Sequence, residues 1–479
     1  LGTLALEEGA HERVEVLRLE EEGVVAEVRG ELGVAGSFAR AQKREGEPAV
    51  PPGRPQGDFL SAQREGGPTT PPGRPDNELP SAPGSGAARN VPHIALVAGE
   101  ASGDLLAALV LPELRARLPQ AQCAGIAGDR MIAAGCVPWH HVGELSVRGY
   151  AEVLRHLPRL LALRRRLIRR LLDWPASVYV GVDAPDFNLG VAARLRAAGV
   201  PTVQFVSPAV WAWRPQRIEK IRAAIDHMLL VFPFEQAIFD RAGIRATYVG
   251  HPLARTIPLE PDRAAARIRL GLPATAPVVA LLPGSRRAEI DSLAPAFFGA
   301  VGRLQAADAQ LRCVVPVAMP ALRPLVERIQ RSSGIDAART MLLDGRSHDA
   351  LEACDATILA GGTATLEAML FKRPMVAAYR VPWLTERITL RQAVIPYFSL
   401  PNVLLGRFAV AEFLQESVEP LGLARALAHC LAGGLQIQAL LQEFAVQHER
   451  LQRDTPALTA EAILATLGRG NDPSARRQT

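Results

Sequence analysis

Short apolar runs alternate with amphipathic stretches from residue 92 of this 479-residue chain onward. Continuous apolar runs are typical of strands buried on both faces of a parallel sheet, and amphipathic stretches are typical of the helices that cover it. The pattern predicts eight such strands, at residues 93–99, 177–183, 201–207, 227–234, 277–285, 311–318, 355–362 and 374–380. The predicted fold class is therefore α/β with parallel sheets.

The alternation is interrupted once, by the proline-rich segment 249–276. We therefore predict two Rossmann-like, doubly wound domains that face each other across a cleft, at residues 91–255 and 256–435, followed by helices over 436–479. Ligands of such sheets bind beyond the carboxyl ends of the strands. The loops that follow the predicted strands are therefore expected to carry the chemistry.

Residues 1–90 differ from the rest of the chain. They are rich in proline, glycine and charge, and two similar segments, 51–62 and 71–82, lack a hydrophobic face that could stack. We predict a disordered extension. It holds ten basic and fifteen acidic residues, although the whole chain has a net charge of +5. The remaining body is strongly basic, which favours nucleic acid, a phosphorylated substrate or a membrane surface as partner.

Several classes of protein are disfavoured because their patterns are absent. No apolar run reaches the roughly 18 residues of a transmembrane helix, and the first residues do not resemble a signal peptide, so we expect neither a membrane span nor export. Five scattered cysteines without a CxxC pair favour a reducing cytosol over a disulfide framework. No HExxH, HxH or DxD-type pair accompanies the loops, so we expect a reaction without a metal or other cofactor.

A loop in the second predicted domain has the form of a phosphate-binding turn. It places Gly284, Ser285 and Arg286 between a strand and a helix. An anion there would meet unpaired N–H groups, the positive end of the helix dipole and a guanidinium group. The alternative is an ordinary turn that binds nothing.

A second loop of the same domain repeats this design, with Gly361 and Gly362 before Thr363 as the helix cap. Glu367 lies one helical turn further on. Its carboxylate could accept hydrogen bonds from both ribose hydroxyls while the helix N-terminus holds a diphosphate. If the glycines only make a turn, Glu367 is a solvated helix residue, but two such loops in one domain favour nucleotide binding.

The first predicted domain offers carboxylates at two strand ends. One turn sets Glu100, Ser102 and Asp104 around two glycines, and its alternative role is a capped helix start. This turn does not match GxGxxG and no Walker lysine follows, so a P-loop ATPase is disfavoured. Asp183 follows its strand directly, and Pro185 keeps the turn out of the helix. Such a carboxylate suits a general base, or alternatively stabilises the turn.

Three further features of this domain have more than one interpretation. Asp186 and Asn188 could cap the next helix or bind hydroxyl groups. Trp213 and Arg214 are suited to stacking on a sugar and contacting its phosphate, although a tryptophan there could equally be a packing residue. A basic amphipathic helix over 154–174 could contact nucleic acid or a membrane surface, or be a solvated crossover helix.

Six segments together carry a family resemblance: LVAGEASGD, GVDAPDFN, VSPAVWAWR, LLPGSR, LAGGTATLEAM and SLPNVLLGR. In this order, and over residues 92–468, the chain resembles the lipid-A-disaccharide synthases, which are inverting glycosyltransferases of the GT-B type. One departure is Asp129, where the family pattern has proline. The first ninety residues have no counterpart in that pattern.

The resemblance implies transfer of 2,3-diacylglucosamine from UDP-2,3-diacylglucosamine to the 6-hydroxyl of 2,3-diacylglucosamine 1-phosphate. The products would be UDP and a β(1→6) disaccharide, an early intermediate of lipid A in a Gram-negative bacterium. Such an enzyme would use no nucleic acid and would work peripherally at the cytoplasmic face of the inner membrane, with the helix over 154–174 as a bilayer contact. In GT-B proteins the last helix often returns to the first domain, and its exchange between two copies would give a homodimer.

The resemblance, added to the residues themselves, also implies the roles in the site. Asp183 is expected to be the general base, with Glu100 as the competing carboxylate, while Glu367 should hold the ribose and Asn402 should lie near the nucleotide. Acceptor contacts are expected from Ser102, Asp104, Asp186, Asn188, Trp213 and Arg214. Donor contacts are expected from Gly284, Ser285, Arg286, Gly361, Gly362 and Thr363.

Two other classes stay open on the sequence alone. One is a different UDP-sugar enzyme of the GT-B type, either a cell-wall N-acetylglucosaminyl transferase or a UDP-sugar epimerase. The other is a non-catalytic nucleotide- or RNA-binding module that uses the basic surface, although it leaves Asp183 and Glu367 without a purpose.

Overall fold

The computed structural model describes residues 91–145, 150–212, 214–380 and 394–470. The extension predicted over residues 1–90 lies outside these ranges. The first sheet consists of β1 (His93–Ala98), β2 (Gln122–Ala127), β3 (Val137–His141), β4 (Val178–Val182), β5 (Thr202–Phe205), β6 (His227–Leu230) and β7 (Ala246–Tyr248). The second sheet consists of β8 (Val278–Leu282), β9 (Arg312–Val317), β10 (Thr340–Asp344), β11 (Ala356–Ala360), β12 (Met375–Tyr379) and β13 (Ala411–Leu414).

Both sheets are parallel and doubly wound, which confirms the predicted fold class. Their strand orders are β3-β2-β1-β4-β5-β6-β7 and β10-β9-β8-β11-β12-β13. The chain starts in the middle of each sheet, moves to one edge and then returns to build the other half. This reversal pairs β1 with β4 and β8 with β11. The loops after these four strands therefore lie where such folds bind their ligands.

Five strands of the described chain have no counterpart among the eight predicted ones. Four of them, β3, β7, β10 and β13, are the edge strands, and all four are partly exposed. An edge strand faces solvent along one side, so it does not require a continuous apolar run. The fifth, β2, is buried, but its alanines and glycine give only a weak hydrophobic signal.

Helices cover both sheets and link them. Those of the first domain are α1 (Ala101–Arg117), α2 (Asp129–Ala133), α3 (Tyr150–Asp173), α4 (Pro185–Ala197), α5 (Arg217–Ala224) and α6 (Gln236–Arg241). Between the sheets lie α7 (Pro252–Thr256) and α8 (Arg263–Leu270). The remaining helices are α9 (Arg287–Ala307), α10 (Arg323–Ser332), α11 (Ser347–Ala353), α12 (Thr363–Leu370), α13 (Leu400–Leu405), α14 (Pro420–Ala432), α15 (Leu435–Leu451) and α16 (Thr455–Gly470).

The basic helix α3 packs on the first sheet through one face. Leu163, Leu167 and Leu171 are buried at intervals of four residues, and this spacing places them on one side of a helix. Leu172 remains 47% exposed, and the arginines around it are mostly in solvent. The part of α3 with described side chains is therefore a crossover helix with a basic outer surface.

One cluster of buried apolar residues continues from the first domain into the second. Phe444 and Leu451 of α15 belong to it, as do Ala460 and Ile463 of α16. Helix α15 packs against α12 of the second domain, whereas α16 packs against α1 and the strands β4, β5 and β6. The last helix thus completes the core of the first domain.

Replacing Ile463 with alanine should destabilise the protein, because this side chain is only 1% exposed and its loss leaves a cavity beneath the first sheet. We expect Ile463→Ala to lower the free energy of unfolding by about 2–5 kcal/mol. The matched control is Ile268→Ala on α8, where the side chain is 80% exposed and the change should stay within about 0.5 kcal/mol. Urea denaturation measures both, and equal effects would contradict the packing of α16.

Candidate active site

The turn after β4 holds Asp183 in a strained backbone conformation. Asp183 has φ 56° and Ala184 has φ 39°, and a left-handed conformation of this kind costs a non-glycine residue about 1–3 kcal/mol. Two buried amides hold the turn, since Asn188 Nδ2 donates to the Asp183 carbonyl at 2.8 Å and Gln204 Nε2 donates to it at 3.0 Å. Strain that the surroundings maintain in this way is concentrated at functional sites.

The loop after β1 packs directly against this turn. A Cβ atom on Gly99 would come within 1.9 Å of the Ala184 Cβ, so the approach requires glycine. Ser102, in the first turn of α1, donates from Oγ to Asp183 Oδ2 at 2.9 Å, and the Ala184 N–H donates to Oδ1 at 2.9 Å. The fold therefore brings together two of the predicted loops and fixes the orientation of the Asp183 carboxylate.

Glu100 is the second carboxylate at this edge of the sheet. It is exposed at the N-cap position of α1, and its side chain makes no capping hydrogen bond there. Asp183 is the better candidate for a base, because Ser102 and the turn hold its carboxylate in one direction. Glu100 follows the adjacent strand and keeps more freedom.

Two residues expected to contact the acceptor are buried and have structural roles instead. The carboxylate of Asp104 binds the start of α2, where it accepts hydrogen bonds from the N–H groups of Gly128 at 2.8 Å and Met131 at 3.1 Å. Asn188 is fully buried; its Oδ1 accepts from the Tyr179 hydroxyl at 2.9 Å. Both side chains are buried and hydrogen-bonded within the fold, and Asn188 also holds the Asp183 carbonyl.

Two further residues predicted for the acceptor side, Asp186 and Arg214, follow the strands β4 and β5 at the same edge of the sheet. Asp186 is exposed and forms an ion pair with Arg217. Arg214 is partly buried and has a left-handed φ of 53°. Trp213 lies outside the described residues, so its predicted stacking role stays a prediction.

A buried carboxylate that the sequence reasoning missed lies behind residues 207–212, which we call the tryptophan loop. Glu235, in the turn after β6, accepts hydrogen bonds from Ser207 Oγ and Trp211 Nε1 of this loop. Burial raises the pKa of Glu235 to about 7. A single glutamate in the run VFPFEQA gives no periodic signal, so the sequence alone does not single it out.

In the second domain, the turn after β8 differs from its prediction. Gly284 has φ 118°, and a Cβ atom there would come within 2.6 Å of Glu289. Glu289 Oε2 accepts from the N–H groups of Ser285 at 3.0 Å and Arg286 at 3.2 Å, while Arg286 Nη1 donates to Oε1 at 3.0 Å. The N–H groups that were expected to be unpaired at the start of α9 are therefore satisfied by a carboxylate of the helix itself.

The turn after β11 fits its prediction more closely. Gly362 has φ 126° and an open space where a Cβ atom would be, and α12 begins with no side-chain cap at this residue. Gly361 packs against the ring of Phe398, which a Cβ atom would approach to 2.9 Å. Thr363 is exposed beside them. Backbone N–H groups at the start of α12 thus face an open surface, as an anion-binding turn requires.

Glu367 is a partly buried residue with a defined partner, not a solvated helix residue. His348 Nε2 of α11 lies 3.4 Å from Glu367 Oε2. The hydrogen bond to Glu367 raises the pKa of His348 above its ordinary value, although partial burial opposes this change. His348 was not predicted, because a single histidine in the segment SHDALEA belongs to no recognisable motif.

Asn402 has a structural role instead of the expected contact with the nucleotide. It is fully buried, and its Oδ1 accepts from the N–H groups of Ala409 at 2.7 Å and Val410 at 2.8 Å. Its Nδ2 donates to Glu412 at 2.8 Å, and the same glutamate accepts from the Ser399 hydroxyl at 2.6 Å. Asn402 therefore orders the segment behind Gly361.

Two features are absent from the described residues. Within the ranges 91–145, 150–212, 214–380 and 394–470, no three histidine, cysteine, aspartate or glutamate side chains are grouped as metal ligands would be. Over those same ranges, none of the helices combines the length and the apolar character needed to cross a membrane.

Solved structures of other proteins share this two-domain architecture. The structure of the glycotransferase of kitacinnamycin matches with a TM-score of 0.54 at 14% identity, over 79% of this chain and 99% of that one. The Medicago truncatula protein UGT71G1, solved with UDP-glucose, matches with a TM-score of 0.51 at 12% identity, over 79% and 99% of the two chains. At such low identity the likeness shows the fold alone, which is that of GT-B glycosyltransferases.

The amino-acid sequence identifies a family, whereas the solved structures identify only a fold. Residues 94–463 match the family described as lipid-A-disaccharide synthetase. The lipid-A-disaccharide synthase of Paraburkholderia phymatum is 49% identical over 378 residues, which make up 78% of this chain and 96% of that protein. That of Albidiferax ferrireducens is 49% identical over 379 residues, with coverage of 78% and 97%.

The chain therefore belongs to the lipid-A-disaccharide synthase family, which confirms the resemblance found in the sequence. It is a glycosyltransferase of lipid A biosynthesis, and its substrates are a sugar nucleotide and a lipid-linked acceptor. Membership of this family excludes the alternatives of a cell-wall N-acetylglucosaminyl transferase, a UDP-sugar epimerase and a non-catalytic binding module.

Replacing Glu367 with glutamine should lower the pKa of His348 towards its ordinary value, because the charged partner is lost. Since the pKa is raised in the folded protein, the pair stabilises the fold below about pH 6.5, and this contribution is lost as the pH rises through the folded value. NMR titration of the histidine ring carbons measures the change, with His348→Gln to assign the signal. Glu327→Gln on α10, remote from this pair, should leave the titration unchanged, and an unshifted His348 in Glu367→Gln would contradict the pairing.

Proposed function

We propose that the enzyme transfers 2,3-diacylglucosamine from UDP-2,3-diacylglucosamine to the 6-hydroxyl of 2,3-diacylglucosamine 1-phosphate. The observation that carries this proposal is the fixed carboxylate of Asp183 beside Ser102, at the strand reversal of the first sheet. A carboxylate in that place can take a proton from an incoming hydroxyl. The Gly361–Gly362 turn, at the matching reversal of the second sheet, supports a nucleotide diphosphate there.

The proposed step is a single displacement at the anomeric carbon. The acceptor oxygen forms a bond to this carbon, the bond from the carbon to the diphosphate oxygen breaks, and UDP leaves with the electron pair. Asp183 receives the hydroxyl proton. Each oxygen of its carboxylate accepts one hydrogen bond, from Ser102 or Ala184, and so keeps a further lone pair for the substrate. Glu100 is the competing base.

On the donor side, we assign the ribose to Glu367 and the diphosphate to the start of α12. Partial burial and His348 limit the movement of the Glu367 carboxylate, which favours two hydrogen bonds to a diol. Arg286 is 61% exposed and uses one of its five N–H groups on Glu289, so it keeps donors for the departing phosphate.

We also propose that the reaction needs no metal or other cofactor. The negative charge that develops on UDP would be stabilised by the dipole of α12, by its first N–H groups and by Arg286. These groups are placed before the reaction begins, so they stabilise the leaving group without reorganisation.

The place of action that we propose is the cytoplasmic face of the inner membrane. Both substrates carry acyl chains, and the basic outer surface of α3, with the exposed Leu172, is suited to an anionic lipid surface. Exchange of α16 between two copies would preserve its contacts with the first domain and give a homodimer.

An assay with both lipids tests the reaction. The enzyme should release UDP and form one disaccharide product, detected by mass spectrometry, and the rate should be the same with and without EDTA. Omitting the acceptor lipid should reduce UDP release to background. UDP release without disaccharide would contradict the transfer, and loss of activity in EDTA that Mg²⁺ restores would contradict the metal-free reaction.

Replacing Asp183 with asparagine should lower kcat by about 10²–10⁴-fold, because the variant lacks the proton acceptor. Affinity for UDP, measured by calorimetry, should stay unchanged because Asp183 belongs to the other domain. The matched control is Asp240→Asn, an exposed aspartate on α6, which should retain full activity. Near-normal turnover of Asp183→Asn would transfer the role of the base to Glu100.

A further inference from the structure

A buried carboxylate that the proposed reaction does not use lies behind the tryptophan loop. Glu235 ends the short helical turn Pro233–Glu235 after β6 and is only 1% exposed. Full burial of a glutamate is rare unless hydrogen bonds or a counter-charge compensate for the lost solvation. Its partners therefore indicate its role.

The partners of Glu235 are hydrogen-bond donors. Oε1 accepts from Ser207 Oγ and from Trp211 Nε1, the latter at 3.2 Å, while Oε2 accepts from the Phe232 N–H at 3.1 Å. Both side-chain donors belong to the tryptophan loop, one at its first residue and one near its end. The carboxylate thus ties this loop to the sheet at two points.

The tryptophan loop also connects the two halves of the molecule. The Ala212 carbonyl accepts from the Val394 N–H at 2.8 Å, and Val394 belongs to the second half of the chain. Trp211 packs edge-on against Phe234, with ring centroids 5.2 Å apart. Arg214 lies two residues after the end of the loop. The position of the loop therefore determines where the Arg214 backbone lies.

We propose that Glu235 is a positioning residue, which holds the tryptophan loop so that Arg214 meets the phosphate of the acceptor sugar. This inference rests on the proposed function. Glu235 touches no substrate and acts through Ser207 and Trp211. The carboxylate form is the one that performs this role, because a carboxylate accepts hydrogen bonds only, and its neighbours are donors.

The charge state of this cluster changes near neutral pH. Burial raises the pKa of Glu235 to about 7, against the opposing effect of its hydrogen bonds. Burial also raises the pKa of Tyr248 to about 12 and lowers that of His251 to about 4, and Arg453 lies over the Tyr248 ring. Glu235 is thus the member of this group that titrates between about pH 6 and 8. Protonation of Glu235 places an O–H donor beside groups that themselves donate hydrogen bonds. The hydrogen bonds that hold the tryptophan loop are then weakened.

Glu235→Gln tests the proposal. The amide keeps an acceptor oxygen but places an NH₂ group against the donors, so the KM for the acceptor lipid should rise roughly tenfold. The Kd for UDP and kcat should change little. In the wild type, the acceptor KM should rise as the pH falls through about 7, and this acid limb should be absent from the variant. Titration of the acceptor phosphate is common to all variants and cancels in their ratio.

Trp211→Phe keeps an aromatic ring but removes one hydrogen bond to the carboxylate. Because that hydrogen bond lowers the pKa of Glu235, the acid limb should move to higher pH in this variant. Tryptophan fluorescence against pH gives a readout that needs no substrate: the wild type should show a transition near pH 7 that Trp211→Phe and Glu235→Gln lack. If Glu235→Gln does not fold, the pH profile of Trp211→Phe and the fluorescence transition of the wild type still test the proposal.

The matched control is Asp226→Asn, which lies at the opposite end of the strands β5 and β6 from Glu235. Asp226 accepts from the Thr202 N–H at 2.8 Å and pairs with Arg196 at 2.7 Å. This variant should lose thermal stability but keep the acceptor KM and the acid limb of the wild type. The proposal is overturned if Glu235→Gln behaves in the same way. A wild type that releases no UDP from the two lipids, yet shows the fluorescence transition, would contradict the proposed function and leave the tie between Glu235 and the loop intact.

Discussion

The left-handed turn of Asp183 and Ala184 is the constraint on which the first half of the proposed active site depends. It requires a glycine at position 99, because no Cβ atom fits beside Ala184. It also uses the amides of Asn188 and Gln204 to hold one backbone carbonyl, and the described residues offer the Gln204 Oε1 atom no hydrogen bond. The left-handed backbone and the unpaired Gln204 oxygen each cost stability. Both lie at the strand reversal, where the proposed mechanism places the base.

Carboxylates also fix the other loops at the carboxyl ends of the strands. Glu235 ties the tryptophan loop, Glu289 closes the turn before α9, and Glu412 holds Ser399 and Asn402 behind Gly361. Burial raises the pKa of both Glu235 and Glu412. These loops must be ordered without a helix or strand of their own, and one carboxylate can satisfy several donors at once.

The sequence predicts the central part of each sheet and the loops of the site, because buried strands are continuously apolar and glycine-rich turns follow them. It does not predict the edge strands, whose exposed side removes that signal. The sequence also does not predict which polar residues are available to a ligand. Asp104, Asn188 and Asn402 are of types that bind ligands, but each satisfies buried backbone or side-chain groups instead. Residue type and spacing do not reveal whether a polar side chain points outward or into the fold.

The two glycine turns of the second domain are alike in sequence, yet the fold makes them unequal. At the start of α9, Glu289 already occupies the N–H groups of Ser285 and Arg286. At the start of α12, Gly362 provides no side-chain cap, so the N–H groups there remain available to an anion. A diphosphate that approached the first turn would meet a carboxylate, whereas at the second it would meet the uncompensated end of a helix dipole. This difference supports the proposed phosphate site at the start of α12, with exposed Arg286 as a proposed further contact.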